Sequence, residues 1–151
     1  MHFPLQPIYK LKGVVRNYDW GGFQFLADLL SFENSNKQPM AEYWLGAHET
    51  ATSVLVAEKK EMPLIEFVSA DPQNVLGKTT AKKFKRLPFL LKVLDVREML
   101  SIQVHPSKYE AEKGFTRENK EGIPLNASHR NYKDDNHKPE LMIALGDFWL
   151  L

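Results

Sequence analysis

The stretch Leu100-Ser101-Ile102-Gln103-Val104-His105-Pro106 constrains this chain more than any other. In an extended backbone Leu100, Ile102 and Val104 fall on one face, and Ser101, Gln103 and His105 on the other. The apolar face needs a core, which leaves a hydroxyl, an amide and an imidazole side by side opposite it. Pro106 fixes φ and carries no N–H, so the strand ends where the imidazole is presented. Taken alone, the pattern is also that of an edge strand with its polar side in water.

At 151 residues, 43% apolar and 26% charged, the chain is long enough for one soluble domain with a core. A net charge of +1 supplies no broad field for nucleic acid or an anionic membrane. With no cysteine there is no disulfide, no thiolate nucleophile and no sulfur ligand, so a metal would sit on His, carboxylate or amide oxygen. The N-terminus MHFPLQPIYKLKG lacks the pattern of a secretion signal. No apolar run approaches the roughly 20 residues of a membrane span. A cytoplasmic protein is expected.

Residues 5–16 read as extended. Tyr18-Asp19-Trp20-Gly21-Gly22 reads as a turn in which paired glycines permit positive φ and close backbone approach. Phe23, Leu26, Ala27 and Leu30 share one face of a short helix, and a β-branched strand surrounds Thr52 to Val56. Pro63 opens a second helix with Leu64, Ile65, Phe67 and Val68 as core contacts. Lys78, Lys82, Lys83, Lys85 and Arg86 form a basic run, either a phosphate patch or a solvated helix face. Phe89 to Leu94 reads as a buried strand with Lys92 set into it, through a snorkelling stem or as a functional cation. It would turn through Asp95–Met99 and pair with the strand ending at His105.

Beyond Pro106 the chain is polar, with a helix expected over Lys108–Lys113 and a loop around Gly114, Gly122 and Pro124. In the next strand Lys138 and Glu140 share one face, and Pro139, Leu141 and Ile143 the other. Phe148-Trp149-Leu150-Leu151 is an apolar end without a closing turn, read as a truncated chain. Short strands and turns outnumber helices and suggest a barrel or sandwich.

Gln103, His105 and Glu140 make an N/O donor set suited to Zn²⁺ or another divalent first-row ion. With one carboxylate against a dication the ion stays a Lewis acid. A two-His-one-carboxylate iron oxygenase is the rival, and Gln103 stands where that set requires His. His48 and His137 read as structural, His129 as an exposed loop residue.

Tyr132-x-Asp134-x-Asn136-His137-Lys138-Pro139-Glu140 resembles the signature of the type I mannose-6-phosphate isomerases, zinc enzymes with a cupin-type barrel. Tyr18-Asp19-Trp20-Gly21, Ala41-Glu42-Tyr43-Trp44-Leu45-Gly46-Ala47-His48, Leu87-Pro88-Phe89-Leu90-Leu91-Lys92 and Leu100–Pro106 occur in the family's order. The resemblance implies a mainly β fold with short helices, a jelly-roll-like cupin barrel left incomplete because the chain is truncated. Residues 1–151 would be the N-terminal part of the catalytic barrel, with the family's helical insertion and second barrel-like domain absent. It implies isomerisation of mannose 6-phosphate and fructose 6-phosphate through a cis-enediol. One zinc would sit on Gln103, His105 and Glu140, with the family's fourth ligand, a histidine far downstream, missing. The family's active-site lysines fall on Lys92 and Lys138, and Ser101, Trp20 and Glu42 fall beside the substrate. The expected partner is a sugar phosphate, with no nucleic acid or membrane, and full-length members are expected to be monomers. The alternative is a truncated remnant that at most binds metal or sugar phosphate.

Overall fold

The computed structural model describes residues 7–147 of the chain, which fall in two compact units divided between Leu100 and Ser101. Its regular elements are eight strands and five helices, and among the described residues the strands do not close into a barrel. No described helix is long and apolar enough to cross a membrane.

In the first unit, β1 (Lys10–Lys12), β6 (Val54–Ala57) and β7 (Lys60–Pro63) form one antiparallel sheet in the order β1-β6-β7. Leu55 and Ala57 alternate inward from β6 and are covered by Tyr9, Leu11, Met62, Leu64 and Phe67. Pro63 ends β7 and caps α2 (Leu64–Ala70), so the helix opens where the proline predicts, with Val68 buried. After α3 (Pro72–Leu76), the basic run falls on α4 (Lys78–Phe84), whose only buried residue is Ala81, as a solvated helix requires.

A second sheet contains β2 (Val14–Arg16), β3 (Glu42–Leu45) and β8 (Leu91–Leu94), in the order β2-β3-β8. Val15 stands opposite Tyr43, and Tyr43 opposite Val93. These three pack on Leu26, Ala27 and Met40, the first two from α1 (Phe25–Leu30). The sheet's other face therefore carries Val14 and Arg16, Glu42 and Trp44, Lys92 and Leu94. The expected burial of the Phe89–Leu94 stretch is only partial, because β8 is an edge strand and leaves Phe89 and Leu91 exposed. A short pair, β4 (Ala47–His48) and β5 (Ala51–Thr52), completes the unit's strands.

Gly21 and Gly22 differ in one respect from expectation: neither has positive φ. They supply room instead, since a Cβ on Gly21 would stand 2.6 Å from the Ala41 nitrogen. Both glycines form isolated bridges, to Val96 and Met40.

The second unit is organised by α5 (Lys108–Lys120), a full turn and more longer than the sequence suggests. Ser107 accepts from the Glu110 N–H while the Glu110 carboxylate accepts from the Ser107 N–H, a complete capping box. The helix runs through Gly114 because the Tyr132 ring packs there, 2.5 Å from where a Cβ would sit. Glu118 and Arg130, both buried, fasten the following loop to the helix. Arg130 also donates to the carbonyls of Tyr132 and Ile123, and Glu118 accepts from the Tyr132 N–H at 2.8 Å.

Two expected strands do not form. Residues 99–107 and 136–144 have no regular secondary structure, so neither the pairing of Leu100–His105 with β8 nor the strand carrying Lys138 and Glu140 is present. A strand with one apolar face is held by a neighbour's hydrogen bonds and by a core, and neither segment has one. Ile102 is 85% exposed, Val104 89% and Leu141 90%. The expectation on Phe148–Leu151 lies outside the described residues.

Candidate functional site

The face of β2, β3 and β8 turned away from α1 gathers most of the polar groups singled out in the first unit. Glu42 is buried at 8% exposure, an unfavourable place for a carboxylate without partners. Both its oxygens are engaged. Oε2 accepts from the Trp44 indole N–H at 2.7 Å, and Oε1 faces the Lys92 ammonium at 3.5 Å. Lys92 stands opposite Trp44 in register, which also brings its ammonium 5.2 Å from the indole centroid. Lys92 is thus neither a snorkelling stem nor an isolated cation, but half of a partly buried ion pair resting on an aromatic ring. Trp20 stacks on Tyr18 with centroids 5.6 Å apart.

Two further residues of this face, Arg16 and Trp44, have no role assigned from the sequence. Arg16 stands opposite Glu42, and its guanidinium carbon lies 5.1 Å from the Trp44 centroid. The signal for both was alternation: once Val15 and Tyr43 are core residues, Arg16, Glu42 and Trp44 must share the other face. His48, expected to be structural, accepts from the Thr50 N–H at 3.2 Å and packs edge-on against Trp44.

The remaining site residues lie in the second unit. Ser101, Gln103, His105, Lys138 and Glu140 are all exposed, and all lie in segments without regular structure. Lys138 pairs with Asp134 at 3.2 Å. Among the described residues no group of three or more His, Cys, Asp or Glu side chains could hold a metal ion, and the expected donor set, one His, one Glu and one amide, has only two side chains of those types. The donor chemistry nevertheless suits zinc: a neutral nitrogen, a neutral oxygen and one carboxylate. Within the described residues none of Gln103, His105 and Glu140 is committed to a side-chain hydrogen bond or an ion pair, whereas their neighbours Lys108, Arg130 and Lys138 all are.

The β2-β3-β8 sheet thus packs on α1 through one face and carries a buried carboxylate, an ammonium and an indole on the other. Residues 8–151 match the catalytic domain of the type I phosphomannose isomerases. The mannose-6-phosphate isomerase of Escherichia coli is 49% identical over 140 residues, covering 92% of this chain and 36% of the relative. That of Candida albicans is 35% identical over 155 residues, covering 95% of this chain and 32% of the relative. The Salmonella typhimurium enzyme, solved with its substrate fructose 6-phosphate and zinc, superposes with a TM-score of 0.78 at 44% identity, over 86% of this chain and 33% of that one. The same enzyme has been solved with single replacements at a lysine, a histidine and a glutamate. The chain belongs to the type I phosphomannose isomerase family. It spans about a third of the length of the curated relatives it matches.

Proposed function

We propose that this chain contributes the N-terminal part of the catalytic barrel of a zinc-dependent mannose-6-phosphate isomerase, interconverting mannose 6-phosphate and fructose 6-phosphate. The observation that carries this is the Glu42–Lys92–Trp44 arrangement on the open face of the β2-β3-β8 sheet, in a chain of that family. The ion pair suits a sugar phosphate, with a carboxylate to meet sugar hydroxyls and a cation to meet the anionic group. Further support comes from spacing. The lysine, histidine and glutamate replaced in the solved Salmonella variants are separated along that chain just as Lys92, His105 and Glu140 are here.

Gln103, His105 and Glu140 are the residues that would hold one zinc, with further protein groups completing its coordination. When bound, zinc supplies a Lewis acid that draws electron density from the sugar carbonyl. Moving that carbonyl between C1 and C2 through a cis-enediol requires a group that takes a proton from one carbon and returns it to the next. Lys92 and Lys138 are the candidates, each positioned by a carboxylate, Glu42 and Asp134. Ser101 and Trp20 are assigned to the substrate's surroundings. The assembled enzyme is proposed to act as a monomer in the cytoplasm.

The exposed, irregular segments carrying the zinc donors favour a second reading for the chain by itself: it binds sugar phosphate without converting it. A coupled assay for fructose 6-phosphate, run with metal analysis and with mannose 6-phosphate binding, tests both. Zinc-dependent turnover supports the first reading, binding without turnover the second. Neither binding nor turnover would remove the physical basis of both.

A further inference from the structure

The open face of β2, β3 and β8 holds one more positive charge than its ion pair neutralises. Arg16 stands opposite Glu42 in the register, yet that carboxylate is already engaged by Lys92 and the Trp44 indole. Among the described residues Arg16 has no ion-pair partner; its position is set by aromatic rings instead. Its guanidinium carbon lies 5.1 Å from the Trp44 centroid and 5.8 Å from that of Tyr18, and its Nε donates to the Tyr18 hydroxyl at 3.4 Å. A half-buried guanidinium held this way keeps the N–H groups of both terminal nitrogens unspent, in the fork that matches two oxygens of a phosphate. Arg16 and Lys92 share one indole with a single carboxylate between them, so the face is net positive and suited to an anion.

We propose that Arg16 is a specificity-determining residue that receives the phosphate group of the sugar phosphate on this face. The proposal rests on the reading of that face as a sugar-phosphate site. It adds that the preference for phosphorylated over free sugar is set by the guanidinium that the ion pair leaves unneutralised.

The test titrates the unaltered chain, Arg16→Gln and Arg16→Lys with mannose 6-phosphate, free mannose and inorganic phosphate, following the Trp44 indole N–H resonance. Arg16→Gln is expected to weaken mannose 6-phosphate binding about tenfold, the loss of a charge-assisted hydrogen bond. It should weaken inorganic phosphate in parallel and leave mannose unchanged. Arg16→Lys should recover part of the loss, because a point charge remains without the fork. Undiminished mannose 6-phosphate affinity in Arg16→Gln would overturn the role of Arg16 while leaving the site standing. Equal loss of mannose and mannose 6-phosphate would also overturn it, by making Arg16 structural. Failure of the unaltered chain to bind mannose 6-phosphate would overturn the site and the proposal together.

Discussion

Lys92 reaches across from the edge strand to Glu42, its ammonium 3.5 Å from one carboxylate oxygen while the Trp44 indole holds the other at 2.7 Å. The two partners are unequally buried, with 29% of the Lys92 side chain exposed and 10% of that of Glu42. Their replacements should therefore differ. Glu42→Ala strands a part-buried indole N–H as well as the ammonium, and is expected to cost about 1–3 kcal/mol. Lys92→Met leaves Glu42 its indole donor and removes a partly solvated charge, for about 1 kcal/mol or less. Urea denaturation of the two variants decides, and equal losses would mean that Trp44 does not share the carboxylate's energetics.

Gly114 in α5 gives an unusual sign. Replacing glycine by alanine inside a helix normally stabilises by roughly 0.5–1 kcal/mol. Here the new methyl would stand 2.5 Å from carbons of the Tyr132 ring. That ring has little room to move, because the Tyr132 N–H is held by Glu118 and its carbonyl by Arg130. Gly114→Ala should destabilise by about 1–3 kcal/mol, the range for overpacking. A gain in melting temperature would show that the ring swings aside at little cost.

What the sequence made legible follows from the range of each interaction. The helix at Pro63 and the start of the helix at Ser107 are local events, decided by a proline's φ and a side chain that reaches three residues ahead. The length of α5 was not legible, because the contact that admits Gly114 comes from Tyr132, beyond the end of the helix. The apolar run Phe89–Leu94 located Lys92 in a β-strand, but Glu42 was given no element, and their pairing depends on the β3-β8 register, which no local pattern prints. The reverse error occurred at Leu100–His105. The alternation is real, but alternation states only which face would be buried if a sheet were there to receive it.

Zinc should bind this chain weakly and contribute little to its folding. Gln103, His105 and Glu140 sit on segments without regular structure, so binding must order them at a cost of about 1–2 kcal/mol per residue fixed. A zinc titration is expected to move the His105 ring resonances without saturating at one equivalent, and His105→Ala should abolish that movement. A chelator should leave the thermal melt where it was, in contrast with domains whose folding free energy is metal binding. Tight stoichiometric binding, or a melt that drops several degrees with the chelator, would contradict this account.

Acid should act with opposite signs on two carboxyl groups. In the second unit the Tyr132 N–H holds the Glu118 carboxyl below the usual range, helped by Asn131 and Arg130 and opposed by burial. Ser107 lowers Glu110 in the same direction through its backbone N–H and hydroxyl. A folded pKa below the unfolded one means stability that is complete above the unfolded value of about 4.3 and lost as pH falls through the folded value. In the first unit burial pushes Asp95 up, against backbone hydrogen bonds from Leu26 and Phe25, and its Oδ2 finds no partner among the described residues. For Asp95 the folded form binds its proton more tightly, so the cost of the charge is present at neutral pH and relieved on acidification. Glu118→Gln should lower stability at pH 7 and flatten the acid limb of the second unit. Asp95→Asn keeps an acceptor for the Leu26 and Phe25 N–H groups without the charge, and should hold or raise stability at pH 7. Amide hydrogen exchange, followed separately for α1 and α5 between pH 4 and pH 7, distinguishes the two. A loss of α1 protection on acidification that Asp95→Asn leaves unchanged would remove Asp95 from the account.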